Sequence, residues 1–376
     1  MSLYTVAHEQ DKFRAAAADG LAMTHGLPVQ SPAAGAQDFR GADLLRIGEE
    51  CLRRNNYPGN LSSKPQIADA MLKSMNRPEA AVGNDDLTNI VKDVANKSLL
   101  KGYQESPRTF LPIIRQVSAS DFKTIYGVAL SEAPDLELVN EHGEYKSGEL
   151  KDKNENYSVK TYGKIIYLTR QMLVNDDTGA LTRVPQMLGN AAARRESDEV
   201  WALITSNPTM NEDGKTLFHT DHGNLEDTTA DKGHVDSTKL QAARAAIRKQ
   251  TGPNGATLDL QPRYLIVPVA QETDSEVVAR SRANPEDNKN SQVYNPWTSL
   301  IPIAEPRLDK VSEDAWYLAA DPNQVDLIEM AYLGDSDEPY IEQEPMFQRD
   351  ATGFKVRHEF GAGVMDYRGL FKNPGA

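Results

Sequence analysis

Between Gly143 and Arg170 the chain reads GEYKSGELKDKNENYSVKTYGKIIYLTR, and this stretch limits what the rest can be. Its second half alternates as a strand does. Tyr157, Val159 and Thr161, then Lys164, Ile166 and Leu168, keep a period of two with one slip near Gly163. A glycine at that slip predicts a bulge or bend. The first half mixes charges of both signs, too many to bury, and lacks the proline and serine of a bland linker. LELVNEHGEYKSGEL runs out and ENYSVKTYGKIIYLTR runs back. A polar ribbon of this kind has no apolar face to lay on its own core, so its packing partner is another molecule.

The remaining chain is long enough for two or three packed units, at 376 residues. It contains no run of about 18 apolar residues, so no transmembrane helix is expected. MSLYTVAHEQDKFRAAAADG has no apolar stretch of the secretory kind. Cys51 is the single cysteine, which excludes an intrachain disulfide and fits a reducing cytoplasm. The net charge of −14 disfavours a protein that grips nucleic acid through its phosphates, though not one that sits near it.

Residues 1–106 read as amphipathic helices on loose connectors. GADLLRIGEECLRR sets Leu44, Leu45, Ile47, Cys51 and Leu52 near one stripe. KPQIADAMLKSMN spaces Ile67, Met71 and Met75 by four. DDLTNIVKDVANKSLLKGY aligns Leu87, Ile90, Val91, Val94 and Ser98, with Asn84 or Asp85 as N-cap. Such an arm needs something else to pack on. After Pro107 the character turns to strands. The longest helix signal, NDDTGALTRVPQMLGNAAARRESDEVWALITSN, has Asp176 and Asp177 as caps and stops at Asn207-Pro208. Pro185 is expected in its first turns. From Asp236 the pattern is α/β, and the tail reads as three strands: VDLIEMAYL, GFKVRHEF and GVMDYRGLF.

Motifs that carry chemistry are scarce. No G-x-S-x-G elbow and no Walker A sequence occurs. Cys51 on its helix face reads as a small buried hydrophobe. FHTDHGN gathers His219, Asp221 and His222, but the spacing matches no established zinc pattern. Alternation would place His219 and Asp221 on one strand face, and a turn held by Asp–backbone bonds accounts for the cluster. The acidic pairs Asp85-Asp86, Asp176-Asp177 and Asp335/Asp337 fit no calcium loop and read as caps or solvated charge. The unusual features are architectural, an arm and a charged ribbon that neighbouring copies would complete.

Several segments in order, LSEAPDLELVNEHGEYKSGEL, YGKIIYLTRQMLVNDD, AAARRESDEVWALITSNP, TLFHTDHGNL and DYRGLFKNPG, resemble the major head subunits of Mu-like prophages. These are major capsid proteins of tailed phages, with the fold named after phage Hong Kong 97. The resemblance covers about residues 98–376 and is weaker before that. It implies an α+β chain with an N-terminal helical arm (1–106) and an extended β-hairpin loop (136–164) that overlies an adjacent subunit. A peripheral domain would comprise 107–135 and 165–235, with a spine helix from about Thr178 to Ser206. An α/β axial domain (236–324) and returning strands (325–376) would complete it. The loop residues expected to contact the neighbour are Glu144, Lys146, Glu149, Lys151, Asp152, Lys153, Glu155 and Tyr157.

The same resemblance implies a non-enzymatic structural protein with no catalytic residue, cofactor or metal. Its partners would be itself, in hexameric and pentameric capsomers, and packaged double-stranded DNA bound without sequence preference. Portal, scaffold or protease, and decoration proteins would join them, with no membrane. It would reside in the virion and assemble in the host cytoplasm. Some such proteins carry a serine protease ahead of the coat region. None is expected here, so a maturation protease would be a separate protein or already removed. Two other readings compete: an encapsulin-like compartment shell holding a cargo enzyme, and a metal-dependent hydrolase built on His219, Asp221 and His222.

Overall fold

Leu3–Thr24 (α1) opens the chain, and Leu44–Arg54 (α2), Lys64–Met75 (α3) and Asp85–Glu105 (α4) are the helices that apolar spacing predicts. In the computed structural model, the described residues are 3–55, 57–75, 85–127, 155–175, 178–252, 255–281, 294–334, 336–345 and 351–375. The expected caps Asn84, Asp176 and Asp177, and Asp335, lie outside them. Two short strands, Ile114–Ala119 (β1) and Ile125–Tyr126 (β2), follow the helices. Next come Asn156–Tyr157 (β3), Lys160–Thr169 (β4), Arg170–Val174 (α5) and Thr178–Ser206 (α6). An alternating stretch continues with Ser237–Arg248 (α7), Pro262–Val267 (β5), Glu272–Arg280 (α8), Ile301–Ala304 (β6), Pro306–Asp309 (α9) and Trp316–Ala320 (β7). Ile328–Leu333 (β8), Tyr340–Pro345 (β9), Ala351–Val364 (β10) and Leu370–Asn373 (β11) close the chain.

The chain divides into two compact units. The first comprises Met1–Pro107, Thr161–Arg195 and Ser336–Glu359. Its core holds Leu21, Leu45, Ile47, Met71, Ile90, Val94 and Leu99 from the opening helices, together with Leu168, Ile341, Phe354 and Val356. The helices do need something else to pack on, and the same chain supplies it. Residues far downstream return to cover the apolar stripes, which no local pattern announces. Asp19 is buried in α1 and pairs with Lys97 of α4 at 2.6 Å, and it also accepts the Ala33 N–H at 2.8 Å. Cys51 is buried, as its stripe predicts.

In this unit α4 and the first part of α6 meet at glycines. A Cβ built on Gly102 would lie 2.1 Å from the Gln186 carbonyl oxygen, and one on Gly189 would lie 2.0 Å from that of Leu99. Small residues at such a crossing let two backbones touch. Pro185 sits inside α6, past its first turn. It cannot donate the intrahelical bond to Leu181, and in that turn Ser98 of α4 donates its hydroxyl to the Thr182 carbonyl. β4 runs on through Gly163, where the missing side chain leaves room for the Val356 carbonyl, 2.8 Å from where a Cβ would be.

The second unit comprises Arg108–Lys160, Glu196–Asp335 and Phe360–Ala376. There β8 runs parallel to β1 and antiparallel to the end of β10, in the register Ile114↔Ile328 and Val364↔Ile328. A separate sheet has the order β11-β7-β5-β6. Its apolar side packs with α7 and α8 around Leu240, Ile247, Leu265, Val278, Trp316, Leu318 and Phe371. Asp236 caps α7 by accepting the Lys239 N–H at 2.7 Å. The tail departs from expectation in two ways. GFKVRHEF and the following GV form one strand, β10, and YIEQEP adds β9. The last strand, β11, pairs with β7, so the chain's end belongs to the α/β sheet that the sequence places in 236–324 alone.

Candidate functional site

Gly127 and Glu155, both in the second unit, touch. The Gly127 N–H donates to the Glu155 carbonyl at 2.8 Å, and β2 pairs with β3 through Ile125↔Tyr157 and Tyr126↔Asn156. Residues 128–154 therefore begin and end at one place. Behind this root, Tyr157 and Val159 pack with Ala119, Ala331 and Met365. The segment lies flat on β10 because two positions there carry no side chain. A Cβ on Gly361 would lie 2.2 Å from the Ser158 carbonyl oxygen, and one on Gly363 would lie 2.8 Å from the Tyr157 ring.

Polar bonds lock the root from beneath. The Glu155 carboxylate is buried and accepts the Glu212 N–H at 2.9 Å. The Glu212 carboxylate in turn accepts from Arg368 at 3.0 Å. Arg368, only 5% exposed, also donates to Asp366 at 3.2 Å and to the Thr251 carbonyl at 3.0 Å. A rigid guanidinium fork suits such a three-way role. On the other side the Tyr157 hydroxyl donates to Glu329 at 3.3 Å. Burial, then the Glu329 charge, pushes the Tyr157 hydroxyl above its usual range. Burial likewise raises the Glu329 carboxyl, against the pull of the bond from Tyr157.

The histidine cluster lies in the same unit, on a short 3-10 turn rather than a strand. His219 precedes the turn Thr220–His222, and its Nδ1 accepts the Asp221 N–H at 3.1 Å. His222 is buried and stacks on Tyr367 with ring centroids 3.8 Å apart. Its two ring nitrogens face the Leu217 carbonyl at 3.2 Å and the Asp213 carboxylate at 2.8 Å. Burial raises the Asp213 carboxyl, but His222 and the Lys215 N–H pull harder and hold it below its usual range. Asp221 is turned to Lys215 at 2.7 Å. The nitrogens a metal would need at His222 are thus engaged, and the described residues hold no group of three or more candidate ligands. His222→Ala is expected to cost about 2–3 kcal/mol of stability, through the lost stacking on Tyr367 and the lost bonds to Asp213 and the Leu217 carbonyl. His219→Ala is expected to cost about 0.5–1.5 kcal/mol. Neither should change metal content, so stoichiometric zinc in the wild type that is lost in both variants would contradict this assignment.

Of the eight loop residues expected to contact a neighbour, Glu144, Lys146, Glu149, Lys151, Asp152 and Lys153 lie outside the described residues. The structure brings Glu155 and Tyr157 together at the root, with both side chains turned into their own unit. Within the expected loop of 136–164, Glu155, Tyr157 and Val159 are buried, because they share the inward face of the alternation, whereas Lys160, Thr161, Gly163 and Lys164 are exposed. Sequence reading missed Arg368, Asp366 and Glu212. The only local hint is the i, i+2 spacing in DYRG, and nothing there points to Glu212.

A model of the phage capsid protein family matches residues 153–373, more than half of the chain. Among solved structures, the chain is similar to the capsid of cyanophage P-SCSP1u at 12% identity and TM-score 0.47, over 72% of this chain and 89% of that one. A Mycobacterium phage Bobi chain matches at 12% identity and TM-score 0.46, over 71% and 90%. A virus-like particle from Pyrococcus furiosus matches at 12% identity and TM-score 0.43, over 73% and 95%. No curated protein sequence matches. With more than half of its length accounted for by that family model, the chain belongs to the phage capsid protein family.

Proposed function

We propose that this capsid protein is the major head subunit of a tailed phage or prophage, a structural and non-enzymatic component of the virion. It assembles through hexameric and pentameric capsomers into a closed icosahedral shell around double-stranded DNA. The arrangement would be of the Hong Kong 97 type, with α6 as the spine helix and residues 236–324 as the axial region. The ribbon, which runs out to Gly127 and back from Glu155, lies over an adjacent copy. Assembly takes place in the host cytoplasm with portal, scaffold or protease, and decoration proteins as partners. DNA is enclosed without base-specific contacts, in keeping with the −14 net charge. The observation that supports the clasp is the hydrogen bond from the Gly127 N–H to the Glu155 carbonyl, which holds the two ends of the ribbon together.

Lys146, Lys151 and Lys153 belong to the sequence of that ribbon. Each exposed ion pair is worth only about 0–1 kcal/mol, but a shell repeats it in every subunit. Reversing the three to Glu is expected to leave the melting temperature of the unassembled subunit nearly unchanged and to block or distort shell formation. High salt should weaken wild-type assembly in the same direction, since exposed pairs are screened over about 8–10 Å. Negative-stain microscopy of wild type and variant provides the check, and normal closed particles from the triple variant would refute the clasp.

A further inference from the structure

We propose that Glu155 and Tyr157 are positioning residues, which fix within the lone subunit the angle of the β2–β3 root between Gly127 and Glu155. They thereby select the neighbouring surface that the ribbon meets. The inference rests on the shell reading above and goes beyond it, because it moves part of the assembly specificity from the ribbon's charges to buried groups beneath its root.

Three observations carry it. First, both side chains of the returning strand that flank the β2–β3 pairing are buried, at 4% for Glu155 and 7% for Tyr157, although the neighbouring Asn156 and Tyr126 are exposed. Second, each reaches a different anchor. Glu155 takes the Glu212 N–H at 2.9 Å, and Tyr157 donates to Glu329 at 3.3 Å, so the root is held at two points and cannot pivot about one. Third, the Glu155 anchor is itself immobilised. Glu212 is tied to Arg368, which is bonded to Asp366 and the Thr251 carbonyl. Removing the carboxylate that accepts a backbone N–H releases the geometry the bond held, because the freed N–H turns to water. A small change of angle at a root becomes a large displacement at the end of a ribbon. Stabilisation alone would be served as well by an apolar side chain at position 155. A carboxylate bonded to a specific N–H adds direction.

The test compares Glu155→Ala, Glu155→Gln and Val235→Ala, the last a truncation in the core around α7 and α8. Amide hydrogen exchange on unassembled wild-type subunits should show the Gly127 and Glu212 N–H groups slowed by on the order of 100-fold. Glu155→Ala should lose at least about tenfold of that protection, the factor expected for one hydrogen bond to a charged group. It should replace closed shells by open or misshapen ones, while Val235→Ala at a matched melting temperature still forms normal shells. Glu155→Gln keeps a carbonyl oxygen to accept the Glu212 N–H and should restore both readouts. If Glu155→Ala does not fold, Tyr157→Phe serves in its place, since it keeps the ring against β10 and removes only the bond to Glu329. Normal shells from Glu155→Ala, or from Tyr157→Phe in that case, would overturn the proposal. So would unprotected root amides in the wild type. Wild-type protein that forms no particles under any condition removes the shell reading itself, a different failure from wild-type shells that are indifferent to position 155.

Discussion

Arg368→Met is expected to destabilise the subunit by about 3–5 kcal/mol, the usual cost of removing one partner from a buried ionic cluster. The side chain is 5% exposed and serves Glu212, Asp366 and the Thr251 carbonyl together. Methionine fills a similar volume, so the loss measures stranded acceptors rather than a cavity. Asp366 is itself buried and also accepts the Arg368 N–H at 2.9 Å. Arg368→Lys should lose less, about 1–3 kcal/mol, because an ammonium can satisfy one or two of the three acceptors but not the whole fork. Adding Glu212→Gln to Arg368→Met should recover part of the loss by removing one stranded charge. Denaturant unfolding of the unassembled subunit gives these values. A loss below about 1 kcal/mol for Arg368→Met would mean that water reaches the carboxylates and that the cluster is not the root's support.

Gly189→Ala carries a comparable expectation, about 2–3 kcal/mol of destabilisation, with the opposite sign from an open helix. Alanine favours a helix over glycine by about 1 kcal/mol, so at an exposed site this change stabilises. Here the new Cβ would lie 2.0 Å from the Leu99 carbonyl oxygen and 2.8 Å from the Tyr103 nitrogen, both of them backbone atoms of α4. Helix backbones cannot yield as a side chain can, so the crossing must open and uncover apolar surface. Gly102→Ala should behave alike, at 2.1 Å from the Gln186 carbonyl oxygen. Gly48 provides the contrast. It is also buried in a helix, but its Cβ would meet the Met71 thioether at 2.5 Å. That group can rotate away, so Gly48→Ala should cost less than half as much. Equal effects at Gly48 and Gly189 would show that burial, not the backbone contact, sets the loss.

Local signals in the sequence made some elements readable. α6 spans Thr178–Ser206, the range expected of the spine helix, because Asn207 and Pro208 end it sharply. Asn207 takes a left-handed conformation at φ 50°, and its side-chain oxygen accepts the Phe218 N–H at 2.7 Å. The Asp236 cap gave α7, and the apolar run of RYLIV gave β5. Elements whose partners are remote in sequence were not readable. The opening helices looked coreless because Phe354 and Val356 cover them from the other end of the chain. β9 was missed because YIEQEP alternates with charges, and its pairing with β10 supplies what its composition does not. The ribbon's polar character was plain, but not the point at which it stops. Glu155 looks like one more solvated charge until Glu212 is seen above it.

The contact between Gly127 and Glu155 also bears on how such a chain can change over generations. When both ends of a segment are fastened at one point, its length is uncoupled from the fold that carries it. Doubling such a loop adds only about 0.6 kcal/mol of closure entropy. Insertions between these two residues are therefore cheap for the subunit, whereas one added residue at β3 would shift Tyr157 off its glycines and turn Glu155 outward. The root thus separates a conserved duty, to fold, from a free one, to vary. A foreign peptide placed between residues 127 and 155 would inherit that freedom.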